Sequence, residues 1–426
     1  MPVGWIGIKG VDSKKHLYSF GKPVSELKDL ILVTLPMTNS QQVAPTLWRT
    51  LPQPIIGLAP MDGVTDSAFR HIVAIQGKPD VVFTEFTNVH DICSGQLKAL
   101  DSLRYSKAER PVIAQIYGKD PLLFYQAAHV VCELGFDGLD INMGCPSKNV
   151  ASSGSGAGLI RTPNLALELM DRARTGIQDW ADGQSLANLG LKSSALQAIA
   201  QLKAEYPGLA QRTVRSAIPL SVKTRLGYDC NIINEWSDCL IQGRPEVIAI
   251  HGRTLSQMYR GRSDWEAIAL ATQRIRKHGI GVLGNGDIQT LQEATVRIQE
   301  SGVNGVLIGR GALGNPWIFQ GIHQVRKALS TETPLELLTP EPSLDEKFRV
   351  MIEHAKLFET MHGKERFPRM RKHLGWYCSS FPHAAAMRAQ LVRTQSSMDV
   401  VNLVNQYKVH ALNGQAMTSA VTIGAS

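Results

Sequence analysis

Gly138-Leu139-Asp140-Ile141-Asn142, followed by Gly144-Cys145-Pro146-Ser147-Lys148 and the glycine-rich Gly154-Ser155-Gly156-Ala157-Gly158, is one cycle of the pattern that decides the fold. A short aliphatic run ends on polar or glycine residues, and a helix-like segment follows. The cycle recurs in both directions from Pro54 to about Gly314, with runs at 55–59, 81–84, 112–116, 138–142, 220–224, 247–251, 281–284 and 305–309. Continuous apolar runs of this length mark strands covered on both faces, hence a parallel sheet. Eight β-then-α units predict a (β/α)8 TIM barrel of the α/β class. The alternative is an open doubly wound sheet. No G-x-G-x-x-G follows the first run, which counts against a dinucleotide-binding sheet of that kind.

Cys145 stands at the exit of the fourth run, on what reads as a loop free to move. A thiol there can deliver a proton to a substrate lying over a bound cofactor. The plainer reading is a cysteine packed as a small hydrophobe. Cys93 and Cys132 fall in helix-like segments and read as packing. The six cysteines are scattered and form no CxxC pair, so no zinc or iron–sulfur site is expected.

The boundaries follow from where the cycle stops. Residues 1–53 form an extension of uncertain structure, with one apolar run at 30–33. Residues 54–325 make the barrel. The connection between the fourth and fifth strands is too long for a barrel unit, so an insertion is expected at about 176–217. After Asn315 the strand runs cease. Ser343-Leu344-Asp345-Glu346 reads as a capping box, and Phe348, Met351, Ile352, Ala355, Leu357 and Phe358 recur at helical spacing. A separate all-helical domain is expected over 340–410, with a frayed tail at 411–426.

Composition narrows the class. There is no run of about 18 apolar residues and no basic-then-apolar leader, so a cytoplasmic protein without a membrane span is expected. A net charge of +8 and a pI near 9.1 favour a polyanionic partner, subject to where the charge lies. Between residues 361 and 393, Lys364, Arg366, Arg369, Arg371, Lys372, Arg388 and Arg393 face a single acid, Glu365. That excess suits phosphate contacts, although a solvated helix face is the plainer reading. A monomer is the default expectation.

In barrels, chemistry collects at the carboxyl ends of the strands. Read in order, those ends present Pro60 and Met61, then Glu85, Gln115, Asn142 with Cys145, Lys223 with Arg225, His251, Gly284-Asn285-Gly286-Asp287, and Gly309-Arg310-Gly311. Two glycine-rich turns after the seventh and eighth strands, with Arg310, form an anion cradle where barrels commonly bind phosphate. A phosphorylated cofactor across the barrel mouth would then meet Lys223, a cation suited to a reduced flavin, and Gln115, a partner for its pyrimidine edge. Lys223 could instead be paired with Asp140 or Glu85, and His251 could be a core histidine.

These residues carry a resemblance. Asp140 to Lys148, Ser221 to Gly227, His251 to Thr254, Gly284 to Asp287 and Ile308 to Ala312 resemble the signature set of tRNA-dihydrouridine synthases of bacterial type. Ala59 to Asp66 is similar to that family's opening motif, and Arg371 to Tyr377 to its helical-domain motif. The resemblance implies an FMN-dependent enzyme that reduces the C5–C6 double bond of selected uridines in tRNA, with D-loop positions the usual targets. NADPH reduces the flavin, hydride passes from flavin N5 to uracil C6, and the matching cysteine, Cys145, protonates C5. By the same resemblance Pro60, Met61, Gln115, Lys223, His251, Asn285, Gly286, Asp287, Gly309 and Arg310 form the FMN site. Asn142, Lys223, Arg225 and Tyr259 contact the target uracil, and Arg366, Arg369, Arg371 and Lys372 meet the tRNA backbone. No metal is implied. The competing readings are an FMN barrel acting on a free pyrimidine, as a dihydroorotate dehydrogenase does, and a tRNA-binding protein without catalysis. The helical basic segment counts against the first, and the intact Cys145 and Lys223 against the second.

Overall fold

A computed structural model describes residues 46–205, 215–331, 333 and 341–412. Eight parallel strands close into a barrel: β1 (Ile55–Leu58), β2 (Val82–Phe83), β3 (Val112–Tyr117), β4 (Gly138–Met143), β5 (Leu220–Arg225), β6 (Val247–His251), β7 (Gly281–Asn285) and β8 (Gly305–Ile308). Each pairs in parallel with the next, and β8 closes on β1 through Ile55–Gly305 to Leu58–Ile308. The second strand is short. A two-residue piece, Thr87–Asn88, resumes the pairing with β3 after Glu85 and Phe86.

Side chains along a strand alternate between faces, and that alternation builds the interior. Trp48, Ile55, Val81, Phe83, Ile113, Val247, Leu283 and Leu307 pack as one apolar cluster inside the barrel. Two residues further along several of the same strands, the inward positions turn polar: Gln115, Asp140, Asn142, Ser221, Lys223, Arg225, His251 and Asn285. The intervening residues Ile116, Leu139, Ile141, Val222, Ile248 and Val306 face the surrounding helices and are fully buried. Burying each such side chain contributes about 1.5–3 kcal/mol. The apolar floor thus supports a polar upper half, where chemistry is placed.

Several boundaries differ from the sequence expectation. The helix Leu47–Thr50 packs Trp48 against Phe83 at the barrel floor, so residues 46–53 belong with the barrel; residues 1–45 lie outside the described part. The helix after β4, Pro163–Ala181, runs unbroken through Gly176 because its apolar stripe continues to Ile177 and Trp180. The extra segment therefore begins after it, with a 3-10 turn Leu186–Leu189 and the helix Ser193–Glu205; residues 206–214 of the expected insertion are not described. Of the expected tail, Ala411 and Leu412 close the last helix, and 413–426 lie outside the described residues. Among the described residues, no helix is long and apolar enough to cross a membrane.

The C-terminal helices Leu344–His362, Arg371–Tyr377, Ala384–Leu391 and Ser397–Leu412 share a core of their own. Ser343 caps the first by accepting from Glu346 N–H, which is half of the expected capping box; the Glu346 carboxylate is taken by Arg349. This core also takes in Ala68 and Ile72 from the first barrel helix, Ser67–Gln76, together with Trp317. Polar contacts add to the junction. Arg366 pairs with Asp101 at 2.5 Å, and His362 lies 3.4 Å from the same carboxylate.

Candidate active site

The polar half of the barrel opens into a cavity of about 480 Å³. Its wall brings together Pro60, Met61, Gln115, Asn142, Cys145, Lys223, Arg225, His251, Tyr259, Asn285, Gly286, Asp287, Gly309 and Arg310. Every residue expected to serve the reaction or a flavin is therefore in one place. A second cavity of about 390 Å³ shares Asp62, Phe86 and Ser147 with it and extends to Arg369 and Lys372 of the helical domain.

At the seventh and eighth strands, the backbone N–H groups of Gly286, Asp287 and Gly309 have no acceptor among the described residues. Gly286 adopts φ 132°, and a Cβ there would lie 2.1 Å from Ser263 Oγ, so only glycine fits this turn. The turns do not open α-helices directly. A 3-10 turn, Arg310–Ala312, follows β8, and the helix after β7 starts only at Leu291. The cradle thus rests on free N–H groups and Arg310 rather than on a helix dipole.

Asp287, an expected member, is held on both carboxylate oxygens. Its Oδ2 accepts from Arg253 Nη2 at 2.6 Å and from Ser263 N–H at 2.8 Å; its Oδ1 accepts from Arg310 Nη2 at 2.8 Å. A bare carboxylate would repel a phosphate. Held by two guanidinium groups, this one instead aims Arg310. Arg253 is buried to 2% exposure and spends its remaining donors on Arg260 O, Gly261 O, Ser263 Oγ and His251 Nε2. It escaped the sequence reading because an arginine shortly after a histidine reads as a ligand contact or nothing. Its buried pairing with Asp287 is a long-range fact.

Charge decides the protonation of the remaining groups. Burial, with Arg225, Lys223, Arg253 and Arg310 nearby, holds the His251 imidazole well below its usual range, so it is neutral. Arg253 Nη1 lies 3.4 Å from His251 Nε2 and can only donate, which leaves the proton on Nδ1. Burial and neighbouring Arg225 bring the Lys223 ammonium down to about 8, against the opposing pull of Asp140. Among the described residues the Lys223 ammonium makes no ion pair or hydrogen bond; neither Asp140 nor Glu85 claims it. Burial raises the Cys145 thiol above its ordinary value, so it stays protonated at neutral pH.

Cys145 is 6% exposed, and its loop is tied down. Its N–H donates to Asn142 Oδ1 at 2.8 Å, and its carbonyl accepts from Ala157 N–H at 3.4 Å. The glycine-rich stretch that suggested mobility forms a 3-10 turn, Gly156–Arg161, packed beneath it. Arg225, expected at a uracil, donates Nε to Gly144 O at 2.7 Å and Nη1 to Thr254 O at 3.1 Å, clamping two loops together. Asn142 is likewise engaged on both sides of its amide. Tyr259 is 60% exposed at the rim, with Arg310 5.6 Å from its ring centre.

The basic segment divides. Arg366 is committed to Asp101, and Arg371 donates Nε to Thr394 O at 2.8 Å. Arg369 and Lys372 are exposed, line the second cavity, and form no ion pair among the described residues.

A family model described as Dihydrouridine synthase (Dus) matches residues 57–179 and 195–413. A Bacillus subtilis (strain 168) protein named probable tRNA-dihydrouridine synthase 2 is 32% identical over 373 residues, covering 86% of this chain and 98% of the relative. A Staphylococcus epidermidis (strain ATCC 35984) protein named probable tRNA-dihydrouridine synthase is 32% identical over 371 residues, covering 85% and 96%. Among solved structures, the DHODH from Eimeria tenella matches with a TM-score of 0.43 at 13% identity, covering 66% of this chain and 82% of that one.

Proposed function

This chain belongs to the dihydrouridine synthase family, and from that premise we propose that it reduces the C5–C6 bond of specific uridines in tRNA, with FMN bound and NADPH as reductant. One observation carries the reading: a thiol, an unpaired lysine and an anion cradle of free N–H groups share a single cavity. The residues present fit FMN. Gly286, Asp287, Gly309 and Arg310 would hold its phosphate, His251 and Asn285 its polar chain, Gln115 and Lys223 its ring edge, and Pro60 with Met61 its apolar face. Bound there, FMN supplies the hydride received by uracil C6.

The chain's own residues do the rest. Hydride at C6 leaves negative charge toward C5 and O4, and Cys145 gives the proton to C5. A thiol kept protonated by burial suits an acid and not a nucleophile. Lys223 offers positive charge beside the developing anion. Tyr259 stands free at the rim to meet the base, while Asn142 and Arg225 act by holding the loops that shape the pocket.

The uridine must leave its stack to reach Cys145, at a cost of a few kcal/mol. Arg369 and Lys372, with Arg371 beside them, offer phosphate contacts that offset this cost without reading sequence. Arg366 is better placed as a domain clasp. A free pyrimidine needs no such cationic groove, which disfavours a small-molecule dehydrogenase. The proposed setting is the cytoplasm, where tRNA is found. Mapping dihydrouridine in tRNA from cells with and without this protein tests the reading: named positions should revert to uridine in its absence, and an unchanged map would refute it.

A further inference from the structure

Gln115, Asp140 and Ser221 are register partners across β3, β4 and β5, pointing into the barrel at one level. They begin a chain of buried hydrogen bonds that ends at the thiol loop. Ser221 Oγ donates to Asp140 Oδ1 at 2.6 Å, and Gln115 Nε2 donates to Asp140 Oδ2 at 2.7 Å. Asn142 Nδ2 donates to Gln115 Oε1 at 3.0 Å. Asn142 Oδ1 accepts from both Gly144 N–H at 3.0 Å and Cys145 N–H at 2.8 Å.

The direction of this chain is forced from both ends. Backbone N–H groups only donate, so Asn142 must turn its carbonyl toward Cys145 and its amide nitrogen toward Gln115. Gln115 must then offer its carbonyl to Asn142 and its nitrogen to Asp140. Asp140 therefore receives two donors, one on each oxygen, which an ionised carboxylate satisfies. Burial raises its carboxyl only to about 6, which leaves it ionised at neutral pH. No acid was needed here for packing. Ser221 and Gln115 could have satisfied each other through an amide at lower desolvation cost.

We infer that Asp140 is a positioning residue: it fixes the donor–acceptor order of this chain, and so both the face that the Gln115 amide presents to the cofactor and the seating of Cys145. The inference rests on the proposed function for its purpose, but not for its test. Asp140→Asn loses the charge-assisted bonds but keeps an acceptor for the Gln115 nitrogen, and Ser221 can turn its hydroxyl to accept from the new amide nitrogen, so this change alone disturbs the chain mildly. Asn142→Asp sets a carboxylate against the Gln115 carbonyl and forces that amide to flip, turning its nitrogen to position 142 and its carbonyl against the Asp140 carboxylate. The double variant Asp140→Asn/Asn142→Asp restores every bond in inverted order. The Gln115 nitrogen then donates to the carboxylate at position 142, the amide at position 140 donates to the Gln115 carbonyl, and Ser221 donates to the carbonyl at position 140.

Site-resolved alkylation of Cys145 by iodoacetamide in the flavin-free protein reads the seating without turnover. Asn142→Asp should speed alkylation about tenfold, the factor matching about 1.4 kcal/mol for one buried hydrogen bond, and Asp140→Asn should speed it less. The double variant should return to within about twofold of the parent, an expectation set by its equal number of satisfied bonds. In the FMN-loaded protein, the double variant should still show an altered flavin spectrum, because Gln115 is inverted. An Asn142→Asp variant that alkylates like the parent, or a double variant as fast as Asn142→Asp, would overturn the inference. A parent protein that takes no FMN and makes no dihydrouridine would instead refute the proposed function, leaving the alkylation result standing.

Discussion

Arg310 Nη2 donates to Asp287 Oδ1 at 2.8 Å while Arg253 holds the other oxygen of the same carboxylate at 2.6 Å. Arg310 thus stands oriented beside the free N–H groups of the two glycine turns. Asp287→Ala should release Arg310 and leave Arg253 with an unpaired buried charge, at a cost of about 3 kcal/mol or more. Loss of FMN on gel filtration, with Gly286→Ala behaving alike for steric reasons, is the expected outcome. Full FMN retention in both would remove the cradle from the phosphate site.

Lys223 titrates near 8 in the fold against about 10.4 when unfolded. Between those values the unfolded chain binds more protons, so stability should rise with pH through this window. At neutral pH the desolvated charge is a cost. Lys223→Met should therefore stabilise the flavin-free protein at pH 7 by an amount on the order of 1 kcal/mol, read as a higher thermal midpoint, with the gain shrinking toward pH 10. FMN reduction by NADPH should slow in the same variant.

Glu85 accepts Gly63 N–H at 2.6 Å, and burial beside Asp66 and Asp62 pushes its carboxyl up to about 7. Here the folded state holds more protons between about 4.5 and 7, so stability should fall as pH rises through that range. Glu85→Gln keeps an acceptor for Gly63 and should flatten the decline, gaining about 1 kcal/mol at pH 8. Urea midpoints at pH 5 and pH 8 measure it.

The basic residues should separate by what they touch. Arg369→Glu with Lys372→Glu should weaken tRNA binding, and the slope of log affinity against log salt should shrink by roughly one to two. Arg366→Ala breaks the clasp to Asp101 and should lower stability more than it changes that slope. Equal slopes in all variants would place the RNA elsewhere.

The fold was legible because its signal is local. Eight apolar runs, each ending on polar residues, announce buried parallel strands, and alternation within each run sends Gln115, Asn142, Lys223 and His251 inward. The register was not legible. Which strand neighbours meet at one level depends on barrel closure, so the Asp140 link to Gln115 and Ser221 could not be read from the chain. Arg253 and its pairing with Asp287 were hidden for the same reason. The insertion's start was misplaced because Gly176 looks like a helix end, whereas it lets this helix approach Tyr125 O closely. Arg366 and Arg369 look alike in sequence, and only docking of the helical domain separates a clasp from a free cation.

Cys145 is the proposed proton donor to C5 of the uridine. Purified protein and its Cys145→Ala variant, both loaded with FMN, should be incubated with NADPH and unmodified tRNA transcript, and dihydrouridine counted by mass spectrometry of the digested RNA. The parent should form dihydrouridine and the variant should lose about 10²–10⁴-fold, the range for one general acid, with FMN content and tRNA affinity unchanged. Near-parental product from Cys145→Ala would contradict that role.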